Sequence, residues 1–112
     1  MRFDVLEISL EVVHRLCHPL ARVRKSDPKL FDQIRRAASS VPLNIAEGSR
    51  RHGKDRLQLF RIAAGSADEL RTALPRNQLR GALAWGELDQ RAIAELLVLL
   101  DRVLAMLWRL TH

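Results

Sequence analysis

The stretch Asp27 to Ile45, DPKLFDQIRRAASSVPLNI, reads as a helix with a marked start and one apolar stripe. Asp27 offers a side-chain acceptor to amides that a first turn leaves unpaired. Pro28 takes the first helical position, where a missing N–H costs nothing. From there Leu30, Ile34, Ala38, Val41 and Ile45 recur three or four residues apart, the spacing of one helical face. Pro42 removes the hydrogen bond to the Ala38 carbonyl, so the helix is expected to bend there and to need a polar group nearby, for which Asn44 is a candidate.

Outward from this stretch the same periodicity returns three more times. Before it, from about Phe3 to Val23, the residues Val5, Val12, Leu16, Leu20 and Val23, with Ser9 among them, repeat at helical spacing, and Arg24-Lys25-Ser26 reads as a polar break. After it, Arg50-Arg51-His52-Gly53 breaks the pattern, the glycine being able to end one helix or begin the next connection. A third stretch runs from about Lys54 to Leu79 on Phe60, Ala63, Ala67, Leu70 and Leu74, and Pro75 is expected to kink or end it. Gly81 to Gly86 supply the next break. A fourth stretch, from about Glu87 to Leu110, places Leu96, Leu99, Val103, Leu107 and Leu110 at core spacing. Four helices on short connections predict an all-α fold, an antiparallel up-down-up-down four-helix bundle in which residues 1–112 form one domain.

Composition agrees with this class. The 112 residues are 47% hydrophobic but only 4% aromatic, and the abundant alanine and leucine favour helix. Cys17 is the only cysteine, so one chain can build neither a disulfide framework nor a cysteine-rich zinc site, and a reducing compartment is expected. The start Met1-Arg2-Phe3-Asp4 carries an acidic residue where a signal peptide would need a basic start and an uninterrupted apolar stretch, and no segment approaches the ~20 apolar residues of a membrane span. These features predict a cytoplasmic protein with no membrane association. The fourth helix is apolar around more than half its circumference, and Ile93, Leu97, Leu104 and Trp108 form a second stripe beside the core stripe. That stripe is read as an oligomer or partner interface; the alternative is a broad core helix with some exposed leucine.

The run Ile34 to Gly48, ending Asn44-Ile45-Ala46-Glu47-Gly48 and continued by Arg50 and Arg51, resembles the hallmark of the bacterial 23S rRNA intervening-sequence proteins, also called the four-helix bundle protein family. Leu59-Phe60, Ile62-Ala63 and Gly65 to Leu70 resemble that family's second signature, on its third helix. The resemblance covers helices two and three, and the helix lengths extend it over nearly the whole chain. It implies a four-helix bundle that assembles into a ring-like homo-oligomer, a pentamer. The family has no agreed biochemical activity, and a related branch serves retroelement reverse transcriptases as an accessory subunit that binds protein and nucleic acid. Leu74-Pro75-Arg76-Asn77 departs from the uninterrupted third helix that the resemblance implies.

Charge points to where a partner would bind. Nineteen Lys and Arg against 13 Asp and Glu leave a net +6, which favours a polyanionic partner. The excess is concentrated from Arg22 to Arg36 and from Arg50 to Arg61, whereas the first fourteen residues carry Arg2 against Asp4, Glu7 and Glu11. Arg35, Arg36, Arg50, Arg51, Lys54 and Arg56 are therefore the candidate contacts to RNA or DNA phosphates. Because the two basic segments flank opposite ends of helix two, they do not make one compact pocket within a protomer. With no tyrosine and with Phe60 in the core stripe, no base-stacking platform is expected. A second candidate site is a polar groove of Arg36, Ser40, Asn44, Glu47, Ser66 and Glu69, which would take a small ligand or a neighbouring subunit if the faces of helices two and three meet. In the plainer reading Asn44 and Ser66 satisfy a kinked helix and Arg36 pairs with Glu47.

Catalysis finds little support. Glu11-Val12-Val13-His14 has the Glu-x-x-His form of di-iron bundles, and His18 follows one turn later. Yet Glu7, Glu11, His14 and His18 fall opposite the core stripe, and no second such element exists. Cys17 is read as a small packing residue rather than a nucleophile, because His18 points about 100° away from it around the helix. The expectation is no catalytic residue, no metal and no cofactor. The protein is read as a homo-oligomer that binds RNA or DNA, with an adaptor for another protein as the alternative.

Overall fold

The computed structural model describes residues 4–80 and 88–112, and the side chains within them except those of 75–80 and 88–89. Four helices make up the described residues: α1 (Asp4–Ser26), α2 (Pro28–Ser49), α3 (Gly53–Arg80) and α4 (Leu88–Thr111). Each packs on its chain neighbours, and α1 closes on α4, so the helices form a four-cornered bundle. The particle measures 45 × 23 × 19 Å, its length close to the ~42 Å of the 28-residue α3 at 1.5 Å per residue.

The first connection is tighter than the sequence suggests. Arg24-Lys25-Ser26 is helical rather than a break, and Asp27 alone separates α1 from α2. Two basic residues in a last turn oppose the partial negative charge of a helix C-terminus, so nothing there stops the helix. Asp27 accepts a hydrogen bond from the Leu30 amide (3.1 Å) while its own amide donates to the Val23 carbonyl (2.7 Å), so it serves both helices at once. α2 ends where Arg50 and Arg51 donate their amides to the Glu47 and Gly48 carbonyls, and Gly53 opens α3 with φ +61°, a value that favours glycine. Three prolines lie within helices without ending them. Pro19 and Pro42 are buried, and α3 continues past Pro75 to Arg80, so of the two outcomes expected at Pro75, a kink or an end, the helix does not end. The break assigned to Gly81 to Gly86 lies outside the described residues.

The core follows the stripes. All the stripe residues of α1 and α3 are buried, as are Ile34, Ala38, Val41 and Ile45 of α2, while Leu30 is half-buried against them. Ser9, the one buried polar side chain among the described residues, donates to the Leu6 carbonyl at 2.7 Å. On α4 the buried set is Ile93, Leu96, Leu100, Val103 and Leu107. Leu99 is only half-buried and Leu110 is exposed, which corrects the phase of this helix by one residue at Leu99. Arg15 reaches Glu95 (3.2 Å) and Arg71 reaches Asp101 (2.7 Å), tying α4 to α1 and to α3; such exposed pairs contribute little stability.

Candidate nucleic-acid interface

α2 and α3 position the basic and polar residues. Small residues let them approach closely: Ala37, Ala38 and Gly48 on α2 and Ala63 and Ala67 on α3 are all buried. At the connection end, Gly48 meets the Phe60 ring so closely that a Cβ on residue 48 would lie 2.7 Å from Phe60 Cε1. Further along, the Ser66 hydroxyl donates to Ser40 Oγ across the two helices (2.7 Å). The Asn44 side-chain amide donates both to Ser40 Oγ (3.0 Å) and to the Ser40 carbonyl (2.8 Å). Asn44 therefore braces Ser40, not the Ala38 carbonyl that Pro42 leaves without its helical partner. Beside this hydroxyl pair lies a groove of about 270 Å³ lined by Gln33, Arg36, Ala37, Ser40, Ser66 and Glu69. It adjoins a wider, shallower concavity that reaches Pro28, Lys29 and Asp32.

Of the six residues assigned to the polar groove, Arg36, Ser40, Ser66 and Glu69 line it, and Asn44 touches it through Ser40. Glu47 does not belong to it. Its carboxylate is taken by Arg50 (2.8 Å) and Arg51 (2.6 Å) at the end of α2. Arg36 does not pair with Glu47 either: its Nε contacts the Asp32 carboxylate at 3.3 Å. Gln33, nearly one turn before Arg36, is a lining residue that its sequence context did not mark; its spacing of seven from Ser40 was the available signal.

The candidate phosphate contacts are held in three ways. Arg35 (2.8 Å) and Arg36 share Asp32, Arg50 and Arg51 share Glu47, and Arg56 lies over the Phe60 ring at 5.3 Å from its centroid. Lys54 is exposed and has no carboxylate partner among the described residues. Hydrogen bonds from Arg51 and then Arg50 hold the Glu47 carboxyl below the ordinary glutamate value, and a hydrogen bond from Arg35 does the same for Asp32. Because the Glu47 value is lowered on folding, its pairing is complete above the unfolded-state value and is lost only as pH falls through the lowered folded value. An NMR titration of the Glu47 side-chain carboxyl should give a midpoint below the reference of 4.5. In the double variant Arg50→Ala, Arg51→Ala the midpoint should return toward that reference.

The stripe assigned to an interface divides. Ile93 is fully buried in the protomer's own core and is unavailable to any partner, Leu97 and Leu104 are half-buried, and Trp108 is 61% exposed with its ring stacked on His112. Val98, 60% exposed and ten positions before Trp108, is a further exposed apolar side chain on α4 that the assignment does not include; on α1, Leu10 is also half exposed. Cys17 is exposed rather than packed, and so are Glu7, Glu11, His14 and His18. Among the described residues no three His, Cys, Asp or Glu side chains converge as metal ligands, and no helix is long and apolar enough to cross a membrane.

Compared with known proteins, residues 1–109 match the family described as 23S rRNA-intervening sequence protein. No curated protein matches the chain.

Proposed function

Because this chain belongs to the 23S rRNA-intervening sequence protein family, we propose that it is a non-enzymatic, homo-oligomeric bundle, ring-like and pentameric, that binds nucleic acid at the α2–α3 connection. The observation that carries this reading is the charge gathered there. From Glu47 to Arg61 the chain carries Arg50, Arg51, Lys54, Arg56 and Arg61 against Glu47 and Asp55, and all five cations but the partly covered Arg56 are exposed. Repetition around a ring would turn a modest local excess into a continuous cationic rim, whose affinity is electrostatic and largely independent of base sequence. The bundle is taken to run up-down-up-down. One support is that α2–α3 neighbours descend on one helix as they climb on the other, Gly48 beside Phe60 and Ser40 beside Ser66. Its cytoplasmic placement fits a lone exposed thiol, which persists best in a reducing compartment.

An adaptor role, as an accessory subunit docking on another protein, is favoured by one observation, the exposed Val98 and Trp108 on α4. Light scattering coupled to size exclusion separates the two readings when run with and without a short structured RNA at low and high salt. The nucleic-acid reading expects a multi-subunit mass and RNA co-elution at low salt only. Alanine at Arg50, Arg51 and Lys54 should weaken RNA binding by at least tenfold and flatten its salt dependence, as loss of phosphate contacts does. RNA ignored at every salt concentration would leave the adaptor.

A further inference from the structure

The groove beside Ser40 and Ser66 differs in one respect from a plain phosphate track, and that difference bears on which nucleic acid is bound. On its α2 side Arg36 uses Nε for Asp32 and keeps both terminal nitrogens uncommitted on a side chain that is 70% exposed. Lys29 extends the cationic side through the adjoining concavity. On the α3 side stands Glu69, exposed and without a cation partner among the described residues, in contrast to Asp32 and Glu47, each held by two arginines.

An unpaired carboxylate beside Arg36 and Lys29 repels a phosphodiester backbone. It is compatible with backbone binding only where the ligand brings a hydrogen-bond donor to it. Along a DNA strand the sugar offers none. Along RNA every residue offers a 2′-hydroxyl, able to donate to a carboxylate and to accept from a serine. The groove has both groups within one wall, Glu69 and the Ser40–Ser66 hydroxyl pair, with Arg36 beside them for the phosphate. None of the groove's lining residues is aromatic, so recognition there falls on sugar and phosphate rather than on stacked bases.

We propose that the α2–α3 groove is a ribose-reading site that makes the protein select RNA over DNA, Glu69 accepting from a 2′-hydroxyl while Arg36 holds the neighbouring phosphate. This rests on the nucleic-acid reading above but is separable from it. The groove is about 270 Å³ and shallow, so it reads the backbone of a strand lying across it rather than enclosing a nucleotide.

The test uses the whole protein and three fluorescein-labelled single strands of one sequence: RNA, DNA and 2′-O-methyl RNA, which keeps the ribose shape but lacks the donor. Fluorescence anisotropy should rank RNA about tenfold tighter than either of the others, the scale of one hydrogen bond to a charged group. In Glu69→Gln, with an unchanged thermal midpoint because the side chain is exposed, DNA and 2′-O-methyl RNA should bind several-fold more tightly and the preference should fall to near unity. Equal affinity for the three strands in the wild type, or a preference that survives Glu69→Gln, would overturn the ribose site and leave nucleic-acid binding standing. Binding of none of the three would overturn both.

Discussion

Gly48→Ala is expected to lower the unfolding free energy by about 2 kcal/mol, although alanine is the better helix former. An alanine Cβ at this position would stand 2.7 and 2.8 Å from two carbons of the Phe60 ring and 3.3 Å from Leu59 Cβ. The ring has little freedom to retreat: Phe60 is 2% exposed, and the Arg56 guanidinium covers it at 5.3 Å. Overpacking a filled core costs about 1–3 kcal/mol, and contacts this short belong to the upper end. Replacing glycine inside a helix returns at most about 1 kcal/mol. Gly65→Ala is the matched opposite case. It lies exposed within α3 with no atom within 4 Å of a Cβ, so the same substitution should stabilise by about 0.5–1 kcal/mol. Urea titration of both variants checks the pair, and equal signs would mean that the Gly48–Phe60 approach does not limit how near α2 and α3 come.

If the protein assembles as proposed, Val98→Glu combined with Trp108→Glu should reduce it to protomers in light scattering while leaving the helical circular dichroism unchanged. Both side chains are about 60% exposed, so the substitutions spare the core, yet they replace the two large, most exposed apolar side chains of α4 with charges. A buried tryptophan anchor at an interface is worth about 2 kcal/mol or more, and burying an unpaired carboxylate costs further. A second apolar area lies elsewhere: Leu43, 68% exposed, shares the α2 face of Arg36, Ser40 and Glu47, and Ile62 shares the α3 face of Ser66 and Glu69. Two unlike patches on different sides of one protomer suit head-to-tail contact, the arrangement that closes rings. Leu43→Glu should accordingly give the same protomeric mass. A persistent assembly in both variants would sink this account of self-association.

How much was legible in the sequence depended on how sharply each helix distinguishes its faces. α1, α2 and α3 separate apolar from charged faces well enough that most of their core residues were readable, Leu30 proving half-buried and Ala37 and Ala73 going unnamed. α4 runs Leu96-Leu97-Val98-Leu99-Leu100 without a polar residue, so spacing alone could not choose between Leu99 and Leu100 or recognise Ile93 as core. Packing against α1 and α3 makes that choice, and it is information that no single helix carries. At the polar groove, Arg36, Ser40, Ser66 and Glu69 were readable because each helix presents its residues at intervals of three or four. Glu47 was misplaced because Arg50 and Arg51, one turn away, compete for it. Local ion pairs of this kind depend on side-chain reach, which a wheel projection ignores. Cys17 shows the same limit: its small apolar character suggested packing, whereas its position on α1 is outward.

The order in which the helices touch also governs how the chain reaches its fold. α1 meets α2, α2 meets α3 and α3 meets α4, each a partner next in line, and only the α1–α4 seam joins the two ends. Contacts between successive elements form early and quickly, and distant ones wait on loop closure. A nascent chain can therefore lay down three helices in turn, yet its apolar trough stays open until Ile93 to Leu107 arrive to cover it. Until then the growing polypeptide exposes the kind of apolar surface that chaperones shield, and a stop codon within α4 would leave that surface uncovered on a three-helix fragment.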